Sequence, residues 1–156
     1  MKQADREAVR YPGLEERRVL VTGAAAGLGE HFAKVFAGQG SHVFVAARRE
    51  EKVEGLASRI ISAGGRATAL RLDVSSSQSV SETLANLDLD VVINNAGTTV
   101  SKSALNHSGT EIDTIIDTNL KGVFHVAKAA AASMVARHIE GSIINVASIL
   151  GHRVAG

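Results

Sequence analysis

Short apolar runs alternate along the chain with longer stretches in which apolar residues recur every three or four positions. The runs are rich in β-branched residues and cover residues 19–21, 43–46, 67–72, 91–94 and 142–147. Such runs are typical of buried strands. The longer stretches have the spacing of helices that bury one stripe. The pattern therefore predicts five strands that alternate with helices.

The helical stretches have predicted buried stripes and predicted ends. The first three stripes consist of Leu28, Phe32, Val35 and Phe36, then Val53, Leu56, Ala57, Ile60 and Ile61, then Val80, Leu84 and Leu87. Gly40 and the pair Gly64 and Gly65 stand where the first two helices should end, since glycine favours a left-handed cap. The longest helix is predicted to begin near Thr110 as its N-cap. Its stripe runs through Ile112, Ile115, Ile116, Leu120, Val123 and Phe124 towards Val135.

Strands and helices in strict alternation predict a doubly wound parallel sheet, the Rossmann-type α/β fold, because parallel strands need crossover connections. The length of 156 residues favours one domain. We predict an N-terminal leader over 1–16 that packs loosely, and a dinucleotide-binding domain over 17–156. The pattern stops soon after the fifth strand, so we expect this domain to be truncated and the fold to be incomplete on its C-terminal side.

Composition and charge narrow the function classes. The chain is 45% hydrophobic and 21% charged with a formal net charge of +1, which argues against disorder and against a nucleic-acid surface. It has no cysteine, so disulfides, thiolate metal sites and cysteine nucleophiles are excluded, and we assign no metal. No apolar stretch reaches the roughly 20 residues that span a bilayer. We therefore expect a cytoplasmic protein without nucleic-acid or membrane partners.

A glycine-rich stretch, TGAAAGLG, follows the first predicted strand. Gly23, Gly27 and Gly29, with Leu28 between the last two, stand where the strand passes into the first helix. A turn without side chains lets backbone N–H groups and the helix N-terminus approach a pyrophosphate. Small residues also serve close packing of a helix on a strand, so the stretch alone leaves both explanations open.

The second predicted strand ends in Ala47, followed by Arg48 and Arg49. A dinucleotide site for NAD carries an acidic residue near this point, whereas a site for NADP has a nearby arginine for the 2′-phosphate. Guanidinium groups bind phosphate through charge-assisted hydrogen bonds. The two arginines favour NADP(H) over NAD(H), although a solvated charge run at the start of a helix is the alternative.

The third and fourth predicted strands also end in polar residues. Asp73 and Val74 close the motif LDV, and Asn95, Ala96 and Gly97 belong to the motif NNAG. Ligands of open α/β sheets bind beyond the carboxyl ends of the strands. Each residue alone has a second explanation as a turn former or helix cap. Together with the glycine-rich stretch, they predict one cofactor site.

In this order, the motifs resemble those of the classical short-chain dehydrogenase/reductase family. The resemblance extends from about Arg18 to Gly151 and includes TGAAAGLG, LDV, NNAG, TNLKGVF at 118–124 and INVASILG at 144–151. It implies a Rossmann-type sheet, a nicotinamide cofactor, and hydride transfer between that cofactor and a carbonyl or secondary alcohol. It also implies that Asp73 and Val74 lie near the adenine and that Asn95, Ala96 and Gly97 lie along the cofactor.

Two further residues are catalytic by the same resemblance. Ser148 matches the family's active-site serine, which would hydrogen-bond the substrate oxygen, and Asn119 matches the asparagine that would hold a water in a proton relay. Asn119 interrupts the apolar stripe of the longest helix, where an amide needs a hydrogen-bond partner. A purely structural hydrogen bond explains it equally well. Ser148 ends the fifth strand, where serine is also ordinary.

The family's acid/base pair, Tyr-x-x-x-Lys, does not occur in the chain. Its only tyrosine, Tyr11, precedes the first predicted strand, and the resemblance places the pair beyond residue 156. A tyrosine with a pKa lowered from about 10 exchanges its proton near neutral pH, so hydride transfer without it should be slow. We expect the 156-residue chain alone to be inactive, and the complete protein to be a homo-oligomer.

Three functional hypotheses follow. The first is an NADP(H)-dependent oxidoreductase acting on a small carbonyl or alcohol. The second is a catalytically incomplete NADP(H)-binding or interaction module. The third, another glycine-loop fold such as a methyltransferase, is disfavoured because it leaves NNAG, Asn119 and Ser148 unexplained.

Overall fold

The computed structural model describes residues 9–149, which are built around a five-stranded parallel sheet. The strands are β1 (Arg18–Thr22), β2 (His42–Ala47), β3 (Arg66–Arg71), β4 (Val91–Asn94) and β5 (Ser142–Asn145). They lie in the order β3-β2-β1-β4-β5, and every neighbouring pair is parallel. The predicted strands and the predicted doubly wound parallel sheet are confirmed.

Helices connect the strands. They are α1 (Gly27–Gly38), α2 (Glu50–Ser62), α3 (Ser77–Leu84), α4 (Gly109–Ile116) and α5 (Val123–Ala136), with a short 3-10 helix at Ala104–Asn106. A π-helical turn at Asp117–Gly122 joins α4 to α5. No helix within residues 9–149 combines the length and apolar character needed to cross a membrane.

Helices cover both faces of the sheet. Successive side chains of a strand point to opposite faces, so each strand contributes to both buried layers. Val19 and Val21 of β1 belong to a buried cluster with residues of α1 and α2. Leu20, between them, belongs to a second buried cluster with residues of α3 and α5. The continuous apolar character of β1 thus reflects burial on both sides, as expected for a parallel sheet with helices on each face.

The stripe predicted for α1 is partly wrong. Leu28 and Val35 are 62% and 43% exposed, while Phe32 and Phe36 pack only partly against the core. The buried residues of α1 are small: Gly29, Ala33 and Ala37. Small side chains let the helix approach the sheet closely, so the larger apolar residues lie at the borders of the buried face.

The predictions for the next two helices hold better. Helix α2 buries Val53, Leu56, Ala57 and Ile60, although Ile61 is exposed. Helix α3 buries Val80 and Leu84. Gly40 and Gly64 follow the first two helices with φ of +87° and +84°. Their left-handed backbone confirms the predicted helix ends, since residues with a β-carbon rarely adopt it.

Ser108, rather than the predicted Thr110, is the N-cap of α4. Its side chain accepts a hydrogen bond from the backbone N–H of Glu111, and the Glu111 carboxylate accepts one from the Ser108 N–H. This reciprocal capping box satisfies two donors that have no partner inside the helix. The helix therefore begins one residue before the predicted cap.

The stripe predicted along α4 and α5 is wrong at four of its positions. Ile112, Ile116, Leu120 and Phe124 are between 41% and 67% exposed. Helix α5 instead buries a different face through Val126, Ala130 and Met134. A helix beside a sheet buries the face that meets the strands, and within residues 9–149 nothing covers the opposite face.

The described part of the predicted leader, 9–16, attaches to the corner between α1 and β2. The Gln39 side chain accepts a hydrogen bond from the Tyr11 N–H and donates one to the Val9 carbonyl, both at 2.9 Å. Ser41 Oγ donates to the Leu14 carbonyl at 2.6 Å. This attachment is more specific than the loose packing predicted from the sequence. Residues 1–8 lie outside the described residues.

Candidate functional site

A cavity of about 660 Å³ lies at the carboxyl ends of β1 to β4. Most residues predicted for the cofactor site line it: Gly23, Arg48, Arg49, Asp73, Val74, Asn95, Ala96 and Gly97. Ala25, Ala26, Ala47, Leu72 and Thr118 also line it. These five are not among the predicted site residues, although each stands in or next to one of the predicted motifs. Their position in or beside the motifs is the feature of the sequence that could have identified them as site residues.

The other predicted site residues lie outside this lining. Gly27, Leu28 and Gly29 form the first turn of α1. Asn119 lies on the π-helical turn, and Ser148 is an exposed residue beyond β5. Because β5 is parallel to β4, Ser148 follows its strand at the same edge of the sheet as the cavity.

Two glycines of the turn after β1 pack against the segment after β4. A β-carbon on Gly23 would lie 2.7 Å from the Ala96 Cα, and one on Gly29 would lie 2.6 Å from the Asn95 Nδ2 and overlap the Gly23 carbonyl oxygen. Gly27 has open space around it but a φ of +59°. Close packing therefore requires the first two glycines, and backbone conformation favours the third.

Thr22 and Asn95 hold this turn in place. Thr22 Oγ1 accepts hydrogen bonds from the backbone N–H groups of Asn95 and Ala96, both at 3.1 Å. The Asn95 amide donates to the carbonyls of Thr22 and Gly23 at 3.1 Å and 3.4 Å. The floor of the cavity is thus fixed by polar contacts between β1 and β4. Thr22 is not among the predicted site residues; its signal in the sequence is a hydroxyl directly after the apolar run 19–21.

Arg48 and Arg49 are exposed at the end of β2, where α2 begins. Within residues 9–149 neither side chain forms a salt bridge. By contrast, Arg59 and Arg66 pair with Glu30 and Glu16. The two guanidiniums at the cavity are therefore suited to hold an anionic group there.

Asp73 occupies the end of the cavity next to β3. Its Oδ1 accepts hydrogen bonds from the N–H and the hydroxyl of Ser75 at 3.0 Å and 2.7 Å. Leu72 and Val74 on either side of it are nearly fully buried. A carboxylate held between apolar residues presents an acceptor at this end of the cavity.

Asn119 pairs with the loop that follows β4. Its Oδ1 accepts a hydrogen bond from the Thr98 N–H, and its Nδ2 donates one to the Thr98 carbonyl, both at 2.8 Å. The residue is exposed, so the predicted setting inside a buried stripe is wrong. The structural hydrogen bond, which was one of the two explanations for this asparagine, is present.

Charged pairs flank the same segment. The Lys102 ammonium lies 2.5 Å from the Glu111 carboxylate, and its hydrogen bond is the main reason why the pKa of Glu111 is lowered, with the Ser108 N–H contributing next. Asp117 raises the pKa of Lys121 through a hydrogen bond and its charge, at 2.8 Å. The first pair lies at the start of α4, and the second lies on the π-helical turn.

The doubly wound sheet and the cavity at its carboxyl edge define a Rossmann-type domain. The chain belongs to the short chain dehydrogenase family, whose model matches residues 17–155. This confirms the family that the sequence motifs indicated.

Among curated relatives, an NADP-dependent 3-hydroxy acid dehydrogenase (YdfG) of Salmonella typhi is 36% identical over 139 residues, which are 85% of this chain and 54% of that protein. The oxidoreductase UcpA of Salmonella typhimurium is 35% identical over 147 residues, covering 91% of this chain and 55% of that protein. The chain thus spans about half the length of the curated relatives it matches.

Solved structures show the same fold. A short-chain type dehydrogenase/reductase from Mycobacterium marinum superposes with a TM-score of 0.87 at 35% identity, over 91% of this chain and 58% of that one. A putative 2-deoxy-d-gluconate 3-dehydrogenase from Agrobacterium tumefaciens, solved with bound NADP, gives a TM-score of 0.84 at 32% identity, over 91% and 57% of the two chains.

Proposed function

We propose that the chain is the cofactor-binding part of an NADP(H)-dependent oxidoreductase that transfers hydride between the cofactor and a small carbonyl or secondary alcohol. One observation carries the proposal: a single cavity joins the glycine-rich turn after β1 to two arginines beyond β2 that form no salt bridge within residues 9–149. The NADP named for a curated relative and for a solved neighbour supports the same cofactor.

The strand order suggests how a dinucleotide would lie in the cavity. The pyrophosphate belongs at the turn after β1, where backbone N–H groups and the start of α1 face it. Arg48 and Arg49, one strand away, would bind the 2′-phosphate, and Asp73 and Val74, two strands away, would face the adenine. In the other direction, Asn95, Ala96 and Gly97 lead towards β5 and Ser148. A nicotinamide bound there would supply or accept the hydride.

The chain's own residues would then orient the substrate. The Ser148 hydroxyl would donate a hydrogen bond to the substrate oxygen. Asn119 uses one N–H and its carbonyl on Thr98, and within residues 9–149 the second N–H of its amide has no acceptor, so it would serve the water of a proton relay. The 156 residues contain no Tyr-x-x-x-Lys motif to supply the proton. We therefore propose cofactor binding by this chain with little or no turnover.

Titration of the purified chain tests this proposal. NADPH and NADH are added separately, fluorescence reports binding, and a panel of small carbonyl compounds reports reduction. Tight binding of NADPH with weaker binding of NADH supports the proposal, and the absence of binding by a demonstrably folded chain contradicts it. Turnover by the chain alone would contradict the expected inactivity.

An intact-mass measurement of the native protein separates the two functional hypotheses. A longer protein with Tyr-x-x-x-Lys favours the oxidoreductase. A protein of this mass, or a longer one without the motif, favours the binding or interaction module. The cytoplasmic location and the homo-oligomer stay predictions.

A further inference from the structure

The loop 98–107 connects the cavity to α4. It follows Gly97, which lines the cavity, and ends directly before Ser108, the N-cap of α4. Its first residue, Thr98, is held by the side-chain amide of Asn119 through two hydrogen bonds of 2.8 Å. Its last residue is His107. Order in this loop therefore affects one border of the candidate site.

The His107 ring turns back onto its own loop. Its Nδ1 lies 3.1 Å from the Ser103 carbonyl oxygen, and its Nε2 lies 3.2 Å from the Val100 carbonyl oxygen. Both ring nitrogens thus face backbone oxygens, which only accept hydrogen bonds. His107 is half-buried, and its ring connects points of the loop that lie four and seven residues before it in the sequence.

The number of protons on the ring decides how many of these contacts are hydrogen bonds. A neutral imidazole carries one N–H, so it donates to one carbonyl and turns a lone pair towards the other, and two acceptors that face each other repel. An imidazolium carries two N–H groups, so it donates to both carbonyls, and its charge strengthens both hydrogen bonds. The geometry around His107 therefore fits the protonated ring.

The charges near the ring come from α4 and from the loop itself. Glu111, in the first turn of α4, is anionic; a hydrogen bond from Lys102 is the main cause of its lowered pKa, and the charge of His107 also contributes. Lys102, on the loop, is cationic and lies 2.5 Å from the Glu111 carboxylate. The 3-10 helix at Ala104–Asn106 carries no titratable side chain. The Glu111 carboxylate thus attracts a protonated ring and also neutralises Lys102.

We propose that His107 is a proton-dependent clasp on the loop 98–107: the doubly protonated ring holds the Val100 and Ser103 carbonyls together, and the loss of one proton releases one of them. Histidine changes its charge between about pH 5 and pH 8. The loop is therefore ordered at the acidic end of this range and looser at its alkaline end, so the border of the candidate site responds to pH. The clasp requires no ligand, because its three residues belong to this chain.

Amide hydrogen exchange of the 156-residue chain tests this inference. It is measured by NMR without any cofactor at about pH 5.5 and about pH 7.5, between which ordinary carboxylates and lysines keep their charge. The reporters are the amides of Thr98 and Asn106, which donate to Asn119 and to the Ser103 carbonyl. Protection factors remove the intrinsic pH dependence of exchange. We expect protection to fall about fivefold or more towards the higher pH, because one charge-assisted hydrogen bond is lost.

Two histidine variants show whether His107 is the responsible group. His107→Ala removes the ring, so protection should be low at both pH values and nearly independent of pH. His31→Gln removes an exposed histidine on α1 and should keep the wild-type pH dependence. Circular dichroism of both variants establishes that the chain is folded.

The ring itself provides a measurement that needs no variant. At about pH 5.5, NMR of the ring nitrogens should show two N–H protons on His107 that exchange slowly with water, because both are hydrogen-bonded. Those of the exposed His31 should exchange fast. At about pH 7.5, His107 should carry one N–H.

Three outcomes would overturn the inference. The first is equal protection of the loop at both pH values in the wild-type chain. The second is a pH dependence that persists in His107→Ala, because another group would then be responsible. The third is ring N–H protons of His107 that exchange as fast as those of His31, because the ring would then hold neither carbonyl. None of these measurements involves a dinucleotide, so a failure of the clasp and a failure of the proposed function are distinguishable.

Discussion

The side-chain amide of Asn119 pairs with both backbone groups of Thr98, accepting from its N–H and donating to its carbonyl at 2.8 Å each. The amide thus does what the backbone of a neighbouring strand would do. It joins the π-helical turn between α4 and α5 to the loop that follows β4. The loop begins with residues that line the cavity, so the hydrogen bonds between Asn119 and Thr98 connect the π-helical turn to the candidate site.

Loss of this pairing should loosen the loop more than it destabilises the chain. Asn119→Ala removes two hydrogen bonds at an exposed position, and we expect the free energy of unfolding to fall by about 1 to 2 kcal/mol. The Thr98 amide should exchange its hydrogen much faster, as measured by mass spectrometry of local fragments. Thr114→Ala, on the exposed surface of α4, is the control and should leave that exchange unchanged. Unaltered exchange at Thr98 in Asn119→Ala would show that the pair does not order the loop.

Two glycines of the glycine-rich turn separate the energetic cost of a left-handed backbone from the cost of a steric overlap. Gly23 and Gly27 have similar positive φ values of +67° and +59°, but only Gly23 has a close neighbour, the Ala96 backbone. Gly27→Ala should cost about 1 to 2 kcal/mol for its left-handed backbone. Gly23→Ala should cost about 1 to 3 kcal/mol more, because the new methyl group overlaps Ala96. Urea unfolding measures both.

Gly38 is the matched control for these two variants. It ends α1, has an ordinary φ, and a β-carbon there would meet no atom within 4 Å. We expect Gly38→Ala to be neutral or slightly stabilising. Equal losses for Gly23→Ala and Gly27→Ala would contradict the packing role of Gly23.

The sequence predicted those parts of the molecule that depend on local pattern. Strands β1, β2 and β4 pair on both edges and are largely buried, so their apolar runs are unambiguous. Glycines follow α1 and α2 because the backbone takes a left-handed conformation at Gly40 and Gly64. The residues of the cavity follow from one geometrical rule, since the carboxyl ends of parallel strands meet at one edge.

Two kinds of feature could not be predicted in this way. The exposure of Leu28 and Leu120 depends on which face of each helix packs against the sheet. An apolar stripe in the sequence does not indicate which of its residues lie in the centre of that face and which lie at its border. Hydrogen bonds between distant residues leave no local pattern either. Thr22 and Asn95 are 73 residues apart, and nothing near either one indicates the other.

Asp90 makes the stability of the sheet sensitive to acid. Burial alone would raise its pKa, but hydrogen bonds from the Arg18 backbone and side chain and from Arg17 outweigh it and lower the pKa. A carboxylate whose pKa is lower in the folded state contributes stability above its unfolded pKa, near 4, and loses it as the pH falls through the folded pKa. We therefore expect the free energy of unfolding to decline below about pH 4.

Asp90→Asn isolates this contribution. At pH 7 the variant should be less stable by about 1 to 3 kcal/mol, because hydrogen bonds to a charged group are lost. Its stability should also fall less steeply than that of the wild type between pH 5 and pH 3, as measured by urea unfolding. Glu82→Gln, on the exposed surface of α3, is the control. Parallel pH profiles for Asp90→Asn and the wild type would show that Asp90 is not the group responsible.

The apolar face of α4 and α5, which nothing within residues 9–149 covers, should promote self-association of the chain. Leu120 and Phe124 are 64% and 67% exposed and lie one turn apart. Leu120→Glu places a charge in this face, so we expect the concentration-dependent sedimentation of the chain to decrease. Val135→Glu is the control, because Val135 is an equally apolar exposed residue near the other end of α5. A chain that sediments as a monomer at all concentrations would show that this apolar face does not promote self-association.

Arg48 should determine which nicotinamide cofactor the chain prefers. It lines the cavity at the end of β2 without a salt-bridge partner within residues 9–149, so its charge is available to a 2′-phosphate. Arg48→Asp replaces that charge with a carboxylate that repels phosphate and can accept from the ribose hydroxyls. We expect NADPH affinity to fall about tenfold or more and NADH affinity to stay or rise, as measured by fluorescence titration. Arg10→Asp, the same substitution in a different cavity, should change neither affinity. An unchanged preference in Arg48→Asp, with a lost preference in Arg49→Asp, would assign the phosphate to Arg49 instead.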